Sequence, residues 1–134
     1  MGAWGYANFE NDAALDFVIE VEEHGVSVLI AAIKQVTTTP EEGFLDSEDC
    51  TSALAAIEFI AAAKGKPSED FTENAEDWLT AYKGNELKDP ALVAESLKAI
   101  DRIQQASELK ELWDEAGETE TWAKVLEGLK ARIS

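Results

Sequence analysis

The segment that most limits how this chain can fold is Ala53-Leu54-Ala55-Ala56-Ile57-Glu58-Phe59-Ile60-Ala61-Ala62-Ala63, an apolar run interrupted once, by a carboxylate. Alanine is the best helix former because it loses no side-chain entropy. Here alanines fall on several faces, so neighbouring helices can approach closely from more than one side. The run is far short of the ~20 apolar residues that a membrane-spanning helix needs, and so is Val26 to Ile33. The expectation is a central helix wrapped by others. Asp46 is its predicted N-cap, Glu48 and Asp49 occupy a first turn where the helix dipole favours anions, and Gly65 before Pro67 ends it.

Six more helical segments surround that one in sequence, with the prolines in the breaks. The first opens at Asn11 or Asp12, carries Ala14, Phe17, Val18 and Val21 at i, i+3, i+4 and i+7, and stops at Gly25. The second, Val26 to about Val36, is apolar nearly all round; a strand is the competing reading, and Ala31-Ala32 and the flanking helices favour helix. A fourth is capped by Thr72, presents Ala75, Trp78, Leu79 and Tyr82, and is predicted to halt at Gly84. The fifth places Pro90 at its first position and runs through Val93, Leu97, Ile100 and Ile103. The sixth, Ser107 to Ala116, has an incomplete capping box, because Lys110 stands where Glu or Gln would close it. The last, Glu120 to Ile133, carries Trp122, Val125, Leu126 and Leu129, with Lys130 and Arg132 in its final turn. No βαβ alternation occurs, so the expected architecture is all-α: a compact single-domain bundle of about six to seven helices over residues 1–134.

Charge narrows the function classes. The 134 residues hold 28 acids and 11 bases, a formal net charge of −17, yet 46% hydrophobic content and four Trp are too much core material for an acidic disordered tail. Nucleic-acid phosphates and anionic membranes both call for a positive field, so neither is an expected partner. A single Cys and a single His leave no intramolecular disulfide, no zinc-finger set and no His-based triad. There is no P-loop, dinucleotide fingerprint or Gly-x-Ser-x-Gly elbow, and no cofactor is expected. Met1 to Tyr6 shows no basic stretch followed by an apolar run, which points to the cytoplasm. The excess acid is uneven in one respect: before Lys64 the only base is Lys34.

Candidate sites follow from residue type. Trp4, Tyr6 and Phe9 lie among Gly2, Gly5, Asn8, Asn11 and Asp12. In one reading the aromatics pack under the bundle while Asn8 and Asn11 satisfy turn backbone and Asp12 starts a helix. In the other, Trp4 and Tyr6 anchor a partner surface that takes in Asn8, Asn11, Asp12 and Asp16. Asp12, Asp16 and Glu20 recur at i+4, which is ordinarily a solvated face; a hard divalent cation is the alternative. His24 suits the C-terminal end of its helix, and Cys50 a buried apolar site. Glu58 is either the outward-facing position of an otherwise buried helix or a buried acid available for proton transfer.

Met1-Gly2-Ala3-Trp4-Gly5 followed by Asn8-Phe9-Glu10-Asn11-Asp12-Ala13-Ala14-Leu15-Asp16-Phe17 resembles the N-terminal signature of a bacterial family, domain of unknown function 4259. Ser52 to Glu58 with Gly65-Lys66-Pro67 is similar to the family's middle segment, and Ser107 to Glu115, Trp122 and Leu129 to Arg132 to its later part. Ala7 departs from the pattern, where a small residue, often Gly, is expected. The resemblance implies a small bacterial cytoplasmic protein and no particular activity. The leading expectation is therefore a non-enzymatic module whose acidic surface recruits a basic protein, as a neutralising, immunity-like protein or a nucleic-acid mimic would. The alternative is a small-ligand binder or enzyme with a carboxylate-lined pocket between helices, using Asp12, Asp16 or Glu58 and walls from Trp4, Trp78, Trp113 or Trp122. Oligomeric state is not legible.

Overall fold

In the computed structural model, which describes residues 8–9, 12–82 and 84–134, seven α-helices follow one another: α1 (Asp12–His24), α2 (Val26–Thr37), α3 (Ser47–Ala63), α4 (Glu73–Ala81), α5 (Pro90–Gln105), α6 (Glu108–Ala116) and α7 (Thr119–Ile133). A short 3-10 turn, Glu86–Lys88, precedes α5. There is no strand among the described residues, so the second segment is a helix and the architecture is all-α.

The caps show why these boundaries fall where they do. Asp46, Thr72, Asp89 and Ser107 each accept a hydrogen bond from a backbone N–H of the helix they precede, at 2.8, 3.2, 2.9 and 3.1 Å, satisfying donors that a helix start otherwise leaves unpaired. Pro90 fills the first position of α5, where no N–H is needed. α1 and α2 are joined by Gly25 alone, at φ 81° and ψ −160°, a backbone conformation essentially confined to glycine. α4 stops at Ala81, earlier than expected, because Tyr82 turns to extended backbone and stacks on Trp78 with ring centroids 5.1 Å apart. Its hydroxyl donates to Glu86, at the start of the 3-10 turn. Three residues are too few to leave a periodic pattern, so that turn has no sequence signature.

α3 is the hub. It packs against each of the other six helices and the 3-10 turn, and every residue from Ala53 to Ala61 is buried. The alanines make this possible, because close approach on all sides requires small side chains on all faces. The remaining helices bury one stripe each: α1 through Ala14, Phe17, Val18 and Val21, α7 through Trp122, Leu126, Leu129 and Ile133. Each large apolar side chain removed from water in this way contributes roughly 1.5–3 kcal/mol. Two cross-ties fix the layout. At the start of α3, Ser47 N–H donates to the Glu108 carboxylate (2.8 Å), while Glu108 N–H donates to the Leu45 carbonyl (2.9 Å), joining the N-termini of α3 and α6. Arg102 donates to the Thr39, Gly43 and Ala106 carbonyls and so pins the α2–α3 loop to α5. No described helix is long and apolar enough to cross a membrane.

Candidate functional site

Complete enclosure of α3 overturns the outward-facing reading of Glu58. Its side chain is 1% exposed, because every face of α3 meets another helix. A carboxylate in such a place must be paired and hydrogen-bonded. Arg132, on the last turn of α7, supplies the charge: Nη1 donates to Oε1 at 2.7 Å and Nη2 to Oε2 at 3.0 Å, the two-pronged geometry that suits guanidinium and carboxylate. The Asn8 amide donates to Oε2 at 2.7 Å. Arg132 also reaches the Lys66 carbonyl (3.1 Å), and Lys64 Nζ donates to the Ile133 carbonyl (2.6 Å), satisfying the end of α7.

Asn8 is itself buried, so its side chain lies inside the bundle and not on a surface. Phe9, beside it, packs edge-on against Phe59 and Phe71, and Phe59 against Trp78. Its N–H donates to Asp70 at 2.8 Å. Residues 8 and 9 are therefore clamped to the C-terminal half of α3 by one buried amide and one aromatic ring, and to the α3–α4 loop by one backbone hydrogen bond. Trp4, Tyr6 and Asn11 lie outside the described residues. In the polar knot of Asn8, Glu58 and Arg132 both carboxylate oxygens are engaged, which ties the segment before α1, the hub helix α3 and the end of α7 together.

A model of the family described as a domain of unknown function, DUF4259, matches residues 2–125. The chain belongs to that family. Asn8 and Glu58 lie within the matched stretch of this DUF4259 chain, and Arg132 lies beyond it. No curated protein and no solved structure matches.

The DUF4259 chain presents a second, quite different arrangement on α1. Asp12, Asp16, Glu20 and Glu23 are exposed, and their spacing puts them on one stripe of the helix. Ile19 lies within that stripe and is 52% exposed, one of two large apolar side chains so placed among the described residues; the other is Phe44. Among the described residues no Lys or Arg pairs with Asp12, Asp16 or Glu20; Lys110 pairs with Asp114 within α6, Lys130 with Asp101 of α5 and Arg132 with Glu58 of α3. No three His, Cys, Asp or Glu side chains among the described residues are grouped to hold a metal ion.

The clefts formed by described residues include three on different sides of α3 and α5. One, of about 270 Å3 between α1, α2 and α3, is lined by Phe17, Glu20, Val28, Ala31, Ala32, Gln35, Asp49 and Ser52. A second, of about 210 Å3, lies beside Tyr82, Leu87 and Lys88, and a third, of about 150 Å3, beside Phe44, Arg102 and Glu108. Asp12, Asp16 and Glu58 line none of these three. Trp113 and Trp122 are in the core and Trp78 packs against it, so their bulk serves the bundle. Cys50 is fully buried, and burial pushes its thiol up to about 12 despite a hydrogen bond with Ser107, which leaves it protonated and inert at neutral pH. Burial and the neighbouring Glu86 carboxylate likewise push the Tyr82 hydroxyl up to about 12. The Asp49 carboxyl is held above the usual range by burial, then by the negative charges of Asp46 and Glu48.

Sequence reasoning singled out Glu58 but not its partner, and Asp12 and Asp16 but not the exposed Ile19 beside them. Ile19 was detectable: it falls on the same side of the helical wheel as the acids and opposite Ala14, Phe17 and Val21.

Proposed function

We propose that this DUF4259 chain is a non-enzymatic interaction module of the bacterial cytoplasm that recruits a basic protein through the exposed face of α1. The observation that carries this reading is Ile19, half exposed among Asp12, Asp16, Glu20 and Glu23 on one helical stripe. An apolar side chain ringed by like charge matches the anatomy of a binding patch, in which a desolvated centre supplies affinity and a charged rim steers the encounter. The formal net charge of −17 extends that steering field beyond the patch. A neutralising role, in which a basic protein is sequestered, is the form of the activity this arrangement serves best.

The test is affinity capture at low salt with the wild type and with a variant carrying Asp12→Asn, Asp16→Asn and Ile19→Ser, followed by reconstitution of binding from the purified protein recovered. A basic protein that binds the wild type directly, weakens with added salt and fails to bind the variant supports the reading. Equal binding by both forms, or the recovery only of acidic proteins, overturns it.

A further inference from the structure

The acidic face of α1 continues into the groove between α1, α2 and α3. Glu20 belongs to both, and across the groove stands Asp49 of α3, while Phe17, Val28, Ala31 and Ala32 supply an apolar lining. We propose that this groove receives one lysine or arginine side chain from a basic segment of the protein partner, its aliphatic stem lying along the apolar lining and its cationic head meeting Glu20 and Asp49. The proposal rests on the reading of the α1 face given above and assigns the occupant of the groove that adjoins it.

Three observations favour that occupant. At about 270 Å3 the groove has room for the side chain of a lysine or arginine. Its chemistry is the complement of a long cationic residue, which buries its methylene stem on apolar surface and keeps its charge at the polar end. Its two carboxylates come from different helices, and no described Lys or Arg forms an ion pair with either, although each of Lys110, Lys130 and Arg132 has found an acidic partner elsewhere. The crowding of Asp49 by Asp46 and Glu48 adds to this, since an arriving cation relieves the repulsion.

The experiment uses the full chain and three synthetic peptides in which Gly alternates with Arg, with Lys or with citrulline, the last having the stem of arginine without its charge. Binding is measured by calorimetry at low salt and mapped by amide chemical shifts. The Arg or Lys peptide is expected to bind and to move the signals of Phe17, Val28 and Ala32, and the citrulline peptide to leave them unchanged. Ala31→Trp, which fills the groove and keeps every charge, is expected to weaken binding about tenfold, as loss of a central contact does. If Asp12→Asn with Asp16→Asn weakens binding while Ala31→Trp leaves it unchanged, the groove assignment fails and the α1 face stands. If neither basic peptide binds the wild type, both fail. Should Ala31→Trp lower the melting temperature enough to obscure the comparison, wild-type shifts confined to Asp12, Asp16 and Glu23 still overturn the groove.

Discussion

The guanidinium of Arg132 grips the carboxylate of Glu58 with two nitrogens, at 2.7 and 3.0 Å, across 74 residues of sequence. The two partners differ in what their loss should do. Arg132→Met strands a charge that is 1% exposed, and should cost about 3–5 kcal/mol. Glu58→Gln leaves a guanidinium whose side chain is 24% exposed and can turn toward water, so its cost should be smaller. Combining the two should recover part of the Arg132→Met loss. Urea unfolding of the two single variants and the double one reads this directly; losses that simply add would show the pair to be uncoupled.

Asn8→Ala removes the amide donor to Glu58 Oε2 and should destabilise by about 1.5–3 kcal/mol, the range for a hydrogen bond to a charged group. Asn8→Asp should be worse, because it sets a second carboxylate against the first. Thermal melts at neutral pH give the order, and an Asn8→Asp variant as stable as Asn8→Ala would contradict it.

Ala55 is fully buried on a helix with neighbours on every side. Leucine there is better for no neighbour and must displace several, so Ala55→Leu should cost about 1–3 kcal/mol despite adding apolar surface. A raised melting temperature would mean that α3 has room that the packing does not suggest.

Gly25 has open space around the position of a Cβ, so Gly25→Ala meets no clash. Its penalty is conformational, arising from φ 81° with ψ −160°, and should be about 1–3 kcal/mol. Chemical denaturation checks it, with Gly128→Ala, in a helix interior and equally open, as the opposite case: that change should stabilise by roughly 0.5–1 kcal/mol.

Asp49 carries a pH signature. Its carboxyl is raised in the folded state, so folding retains a proton there that the unfolded chain gives up. The contribution to stability is complete below the ordinary Asp value and is lost as pH rises through the raised one. Asp49→Asn abolishes the dependence, and its stability relative to the wild type should improve as pH moves from about 3 to 7. Unfolding midpoints across that range should diverge accordingly; parallel curves would dispose of the effect.

Helices and their caps were legible because each is written locally, in stripes such as Phe17, Val18 and Val21 and in single side chains such as Asp46 or Thr72. Glu58 was harder for a reason of scale. Whether a polar residue in an apolar helix faces water depends on how many neighbours that helix has, and the guanidinium that answers it lies on the last helix. Arg132 stands in the last turn of its helix, where a positive charge suits the dipole, yet its larger role depends on the fold. The same holds for Arg102, whose three carbonyl partners come from a loop and a helix end with no distinguishing composition. The α1 face needed only the helical wheel, since exposure of Ile19 follows from its position opposite Ala14 and Phe17.

The tie between Glu58 and Arg132 also sets a clock on biosynthesis. A ribosome adding about 5–20 residues per second places the guanidinium roughly 4–15 s after the carboxylate. For that interval the hub helix holds an acid without its counter-charge. Early helices can form and associate loosely, but closing them tightly around α3 before α7 emerges costs either an unpaired buried charge or the proton that neutralises it.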